Sequence, residues 1–307
     1  MNWSLPVDGP LDADATLSRY RTWGEDPVNR LGSGVFRRVL RLEGTLHPYE
    51  VRWDGPVDDA RLALSVPTSR SARVRDAVTD EVRRLFGLDA DLPGFYRMAK
   101  ADSVLADLVS SLYGLRPTLA PGGLEMLVGS IIAQQVNLTF AFTLRARLIR
   151  RYAEPVTMGG ETVYAFPEAR ALAGLRVATL RAMQFSTRKA EYIRDVARAV
   201  TAGRLDLTAL AQASNAEVIA CLTALRGLGR WTADWYLARC LGRGDACPAG
   251  DLAVRKVFDR HYGRGTPLSE EAIRRRASAW GEYQALAIHY LLVGMRLAQA
   301  TMGGGTA

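Results

Sequence analysis

The apolar pattern of this chain changes period once, near Leu92, and that switch limits the folds open to it. Ahead of it the apolar runs are short and strand-like. Residues 35–42 place Phe36, Leu40 and Leu42 between arginines, and residues 51–53 and 62–66 read as further strands. Glu43-Gly44-Thr45 and Asp54-Gly55-Pro56 carry turn chemistry. Residues 71–86 then set Val74, Val78, Val82 and Leu85 at helical spacing. Beyond Leu92 the pattern is helical nearly throughout. Leu124, Leu127, Val128, Ile131 and Ile132 form one stripe, and residues 175–200, 215–225 and 283–297 read as helices, the last largely apolar and buried. Ser269 followed by Glu270 and Glu271 is a helix start, a cap with carboxylates at the positive helix end. The tail, residues 302–307, is expected to pack little. There is no internal repeat. The expected fold class is α+β: an N-terminal mixed α/β domain over residues 1–90, then a mostly α-helical body over residues 91–307. Two helical subdomains are expected in that body, with a glycine hairpin between helices at about 215–241.

A chain of 307 residues has room for one to three domains and a sizeable core. Its 48% hydrophobic and 23% charged residues are those of an ordinary soluble protein. No apolar run approaches the ~18 residues of a membrane span. The start, Met1 to Pro6, has neither the basic nor the apolar region of a secretion signal, so a cytoplasmic location is expected. The net charge of +8, with 40 basic residues, suits a polyanionic partner, nucleic acid first, and equally a merely basic enzyme. Cys221, Cys240 and Cys247 are too few and too odd in number for a disulfide framework. With no CxxC or HExxH, and with His47, His261 and His289 far apart, no zinc or iron–sulfur site is expected.

The densest local chemistry lies in residues 225–258. Gly227 and Gly229, two apart, permit a tight turn with positive φ and unshielded backbone N–H groups. Opening a helix, such a turn can hold a phosphate, with Arg226 and Arg230 adding charge; alone, it is equally a plain joint between helices. Trp231 and Trp235, at i and i+4, share a helix face and read either as core or as an aromatic wall. Asp251 follows Pro248-Ala249-Gly250 and opens a helix through Val254, Val257 and Phe258. An N-cap is its plain reading, and that is compatible with a chemical one. Asp234, inside the preceding helix, reads as solvated or structural.

The pattern LxGLGxWTA over residues 225–233, with Asp251 beyond it, resembles the helix-hairpin-helix DNA glycosylase superfamily. The α/β part ahead of the helical body resembles its DNA-3-methyladenine glycosylase II branch. Ile131-Ile132-Ala133-Gln134-Gln135-Val136 is similar to that branch's segment ahead of the hairpin. The resemblance covers most of the chain and is specific over residues 225–258. It implies a helix-hairpin-helix glycosylase body and a base excision repair enzyme acting on damaged double-stranded DNA. Such an enzyme flips out alkylated bases of the 3-methyladenine type and hydrolyses the N-glycosidic bond, leaving an abasic site. The resemblance makes Asp251 the catalytic carboxylate, an anion beside the developing oxocarbenium that can also orient or deprotonate water. Trp231 stands where bifunctional relatives carry a Schiff-base lysine, which implies no strand cleavage. The iron–sulfur loop of some relatives is missing, since no cysteine follows Cys247.

The same resemblance places Trp231 and Trp235 in the base pocket, where an indole face attracts a cationic alkylpurine by ~0.5–2 kcal/mol. It brings Leu252, where an aromatic can stand, and His289, at a pocket tryptophan position, into the substrate site. Both changes imply a roomier or more polar pocket, with a satisfied core histidine as the other reading of His289. Gln135 falls at the wedge that fills the gap left by a flipped nucleotide, with Gln134 beside it. A solvated helix end is the alternative for this pair, with Asn137 capping the next helix. Arg226, Arg230, Arg255 and Lys256 read as phosphate contacts or as surface charge. A monovalent cation on hairpin carbonyls, no other cofactor, a monomer and a nucleoid-associated location complete the implied picture. Two other readings remain: a non-catalytic helix-hairpin-helix DNA-binding module, and a glycosylase for deaminated bases, whose neutral lesions gain less from an aromatic cation site.

Overall fold

A computed structural model of the chain describes residues 1–303, with side chains through residue 299. Five antiparallel strands open the fold in the order β1-β5-β4-β3-β2. They are β1 (Asn2–Leu5), β2 (Arg30–Gly32), β3 (Val35–Leu42), β4 (Thr45–Asp54) and β5 (Arg61–Ser65). The β3–β4 hairpin turns at Glu43 and Gly44, both with positive φ (50° and 78°), as a two-residue hairpin loop demands. The helix Ala72–Leu85 lays Val74, Val78, Val82 and Leu85 on one core with Phe36, Tyr49, Val51, Leu62 and Leu64. Its apolar stripe and the alternating strands meet as the sequence pattern predicts.

The helical body has two cores. The first takes buried residues from Leu127 to Ala246. The second joins Leu92–Leu115 to Cys247–Val293, so the chain leaves this core, builds the other and returns. Trp235 packs against both. The last helix, Gln284–Gly303, carries the buried Leu286, Ala287, Ile288, Tyr290 and Leu291. The expected tail lies, from residue 304, outside the described residues.

The structure departs from the sequence pattern at two places. Residues 175–200 are not one helix: Val177–Ala182 ends in a turn with Gln184 at φ 71°, and Ser186 caps Thr187–Thr201 by accepting from the Lys189 N–H at 3.2 Å. The stretch read as helical also contains a hairpin, β6 (Pro155–Met158) and β7 (Glu161–Tyr164), closed by Gly159 and Gly160. Val39 of β3 buries Met158 and Val163, and Arg37 reaches Glu161 at 3.3 Å. Two such short strands are marginal alone and are held by the first sheet.

A buried ion cluster fastens sheet to body. Arg38 of β3 donates to Glu81 at 2.9 Å, Asn29 at 2.5 Å and Glu125 at 2.6 Å, and Arg145 pairs with Glu125 at 2.5 Å and Asp26 at 3.3 Å. Burial alone would raise the Glu125 pKa, but the two guanidiniums outweigh it and hold it down to about 2. Glu125 sits in the first turn of the helix Gly123–Ala133, whose far end carries Gln134 and Gln135.

Candidate active site

Ser214 and Glu217 form a capping box at the start of Asn215–Thr223, the first helix of the glycine hairpin. The second is Arg230–Tyr236. Gly227 needs to be glycine twice over. Its φ is 92°, and a Cβ would stand 2.3 Å from the Tyr192 ring. Gly229 has an ordinary φ of −109° and no atom within 4 Å of a Cβ position. Nothing inside the chain calls for a glycine there, so what the missing side chain leaves open is the outer approach to the backbone. No side chain caps the helix at Gly229, and its first N–H groups are left unclaimed. Arg226 and Arg230 flank the turn, half-engaged by Glu191 at 3.1 Å and Asp234 at 2.8 Å, with 64% and 53% of their side chains exposed. Arg255 and Lys256 are exposed on the helix Leu252–Tyr262.

The Gln134-Gln135 segment meets the hairpin directly. The Gln134 amide donates to the Gly227 carbonyl at 2.8 Å. Behind it, buried Lys189 donates to the Ile132 carbonyl at 2.7 Å. Gln135 is exposed and holds φ at 55°, a left-handed conformation that costs a non-glycine residue about 1 kcal/mol or more. Asn137 caps the next helix, Leu138–Tyr152, by accepting from the Phe140 N–H at 2.8 Å.

Asp251 is the N-cap of Leu252–Tyr262. Its Oδ1 accepts from the backbone N–H groups of Ala253 at 2.8 Å and Val254 at 3.1 Å. Its Oδ2 accepts from the indoles of Trp231 at 2.8 Å and Trp235 at 3.2 Å. The i, i+4 spacing therefore serves two ends at once, aiming both indole N–H groups across the seam between the cores. The half-buried ring surfaces stand beside the carboxylate. Leu252, next in the chain, is 67% exposed and points its apolar surface outward.

Asp234 is structural. It is buried and bridged by Arg230 and by Arg274 at 2.6 Å, and Arg274 also donates to the Cys247 carbonyl at 2.6 Å. That clamp holds the Cys247–Asp251 loop against the hairpin helix. Sequence spacing could not point to Arg274, which reads as one more charge on a polar helix.

Arg239 was equally illegible. The hairpin helix widens into a π turn over Leu237–Leu241, a local form often found at functional sites. The guanidinium of Arg239 lies over the Trp235 ring, 5.7 Å from its centroid. Its Nη2 is 2.7 Å from His289 Nδ1, and His289 Nε2 is 3.3 Å from the Arg116 carbonyl. Arginine only donates and a carbonyl only accepts, so His289 is the neutral Nε2–H tautomer. Burial, then the nearby Arg239, push its pKa well below the usual value. Both ring nitrogens are taken, so His289 reaches a ligand only through Arg239.

Two cavities of about 500 and 550 Å³ lie elsewhere, one over β1 and β5, the other beside Asp102, His261 and Arg276. Neither includes Trp231, Trp235 or Asp251. Asp102 is consumed by Arg276, Trp280, Tyr262 and two backbone N–H groups. Among the described residues no group of three or more His, Cys, Asp or Glu could hold a metal ion, and no helix is long and apolar enough to cross a membrane.

Residues 128–282 match the family model for the HhH-GPD superfamily base excision DNA repair protein, and residues 2–122 match that for the AlkA N-terminal domain. The chain belongs to the HhH-GPD superfamily, in its DNA-3-methyladenine glycosylase II branch. A putative DNA-3-methyladenine glycosylase of Bacillus subtilis, YfjP, is 32% identical over 94% of this chain and 96% of its own. A DNA-3-methyladenine glycosylase of the same organism is 30% identical over 71% of this chain and 72% of its own. The solved structure of a 3-methyladenine DNA-glycosylase from Archaeoglobus fulgidus superposes with a TM-score of 0.85 at 26% identity, covering 96% of this chain and 98% of that one. The N-terminal family match runs past the sheet to residue 122, although residues 92–115 pack with the second helical core.

Proposed function

We propose that this DNA glycosylase extrudes alkylated purines of the 3-methyladenine type from duplex DNA and hydrolyses their N-glycosidic bond without cutting the strand. The observation that carries this reading is the convergence of Trp231, Trp235 and two helix N–H groups on Asp251 at the seam of two helical cores. Four donors occupy the acceptor positions of one carboxylate. Such a group cannot take a proton from water without giving up one of those bonds. Its role is a fixed negative charge beside the sugar, which stabilises the oxocarbenium while water attacks C1′. The bond from C1′ to the base breaks, the base leaves with the electron pair, and the attacking water releases one proton to solvent as the bond from its oxygen to C1′ forms. A methylated cationic purine leaves as a neutral molecule, so little further help is required.

The other parts follow from their positions. The half-buried indole faces of Trp231 and Trp235 stack on the extruded base, with exposed Leu252 meeting DNA at the rim. Gln135 enters the base stack, Gln134 ties it to the hairpin, and the Gly227–Gly229 turn with Arg226 and Arg230 receives backbone phosphate. A monovalent cation fits the hairpin. The Leu225 and Gly227 carbonyls accept from the Leu228 N–H and Gln134, and each keeps a second lone pair for an ion that would add positive charge for phosphate. No other cofactor is required. Trp231 supplies no amine, and Lys189 and Lys256 are respectively bonded to a backbone carbonyl and exposed on another helix. The enzyme works as a monomer on chromosomal DNA in the cytoplasm.

The test is base release from a duplex carrying 3-methyladenine, wild type beside Asp251→Asn. The expected outcome is abasic product from the wild type, no nick before alkali, and a loss of about 100-fold or more in the variant. Equal DNA binding by both proteins with no product from either would instead describe a binding module.

A further inference from the structure

The helix Thr187–Thr201 reaches both of the segments that, on the reading above, meet DNA. Two of its side chains, one turn apart on one face, make the contacts. The Tyr192 ring lies so close to Gly227 that no Cβ would fit, and Arg226 sets its guanidinium over the same ring, 5.3 Å from the centroid. Lys189 sends its ammonium to the Ile132 carbonyl at 2.7 Å, one of the last carbonyls of the helix Gly123–Ala133, which no helical N–H takes. The Gln134 amide closes the triangle on the Gly227 carbonyl at 2.8 Å.

Lys189 is a costly way to fill this space. It is 8% exposed and makes no ion pair among the described residues, and burial draws its pKa below the ordinary lysine value. An ammonium so placed destabilises the fold unless its bonds offset the lost hydration. Packing calls only for the stem, which a methionine would match. What the ammonium adds is a positive charge at the negative end of a helix, and a fixed end point for that helix. Three residues beyond Ile132 stands Gln135, exposed and left-handed at φ 55°. Freed from its anchors, that residue would fall back to the ordinary helical region, and its side chain would swing with the backbone.

We propose that Lys189 is the positioning residue of base extrusion: by capping the helix at Ile132 it holds Gln135 in the left-handed conformation that aims its side chain into the base stack. This rests on the reading of Gln135 given above and deepens it. Lys189 is buried, so it acts through the backbone and not on DNA. Tyr192 seats the hairpin from the same helix, so a phosphate held at the hairpin and the Gln135 side chain stand at a fixed offset.

The test compares release of 3-methyladenine from a fully paired duplex with release from a duplex that carries an abasic analogue opposite the lesion, where extrusion costs least. Wild type, Lys189→Met, Lys189→Arg, Gln135→Ala and the double variant Lys189→Met with Gln135→Ala are assayed. Lys189→Met is expected to slow release from the paired duplex about five-fold or more and release from the unpaired one by less than about two-fold. Lys189→Arg, which keeps the cation, restores most of the loss, and the double variant is no slower than Gln135→Ala alone. Where Lys189→Met does not fold, Lys189→Gln, whose amide falls short of the carbonyl, is read in the same way; failure of both to fold makes Lys189 a brace of the core and overturns the assignment. An equal loss on both duplexes overturns it too, as does a double variant in which the two losses multiply. A Gln135→Ala rate unchanged on both duplexes overturns the reading of Gln135 and this proposal with it, while base release itself stands. Release of no base by the wild type overturns the glycosylase reading as well.

Discussion

Two arginine clusters lie within this fold and are built on opposite terms. At the sheet–body junction, Arg38 and Arg145 are enclosed by Asp26, Glu81 and Glu125, each guanidinium answered by carboxylates. At the seam, Arg239 has an imidazole, an indole face and other arginines around it, and among the described residues no carboxylate pairs with it. The first arrangement is closed, because every charge is spoken for. The second is incomplete within the chain. Burial of arginine is therefore no guide to its role until its partners are counted.

The contrast is open to measurement. Glu125→Gln should be the most damaging change, costing about 3–5 kcal/mol in urea unfolding, because it leaves two buried guanidiniums short of charge. A cost below about 1 kcal/mol would mean that the junction is not closed in the sense described. The same carboxylate gives the wild type a pH signature. Its folded pKa of about 2 lies below its ordinary value of 4.5, so its contribution is fully present above pH 4.5. That contribution, on the order of 3 kcal/mol, is lost as pH falls from there through about 2, and Glu125→Gln should lack this share of the acid dependence. Arg239→Met should have the smallest effect and the opposite sign, neutral or stabilising by up to about 2 kcal/mol, since it removes an unpaired buried charge. Destabilisation there comparable to Glu125→Gln would erase the distinction.

Much of the site is legible in the sequence because its parts are local. Gly227 is dictated by a positive φ, Asp251 by a helix start, and Trp231 with Trp235 by a shared helix face, so spacing marks a turn, a cap and a common face, and the family resemblance adds the roles. The β3 strand and the helix after β5 are legible for the same reason, since each carries its period in its own residues. What escapes is set by distant partners. The β6–β7 hairpin exists because Val39 and Arg37 receive it. Arg274 and Arg239 look like surface charge on helices and find their partners only where the two cores meet. Gln184 ends a helix through a backbone conformation that its side chain does not advertise.

The hydrogen bonds to Asp251 cross from one core to the other: the indoles ride on the hairpin helix and the carboxylate on the helix that begins the returning chain. The proposed catalytic centre is thus a joint property, assembled from groups that neither core supplies alone. A chain with both cores folded but poorly docked would hold every required residue and still be unarmed. On the proposed function, the removal of bases from DNA is in this way tied to the docking of the two cores.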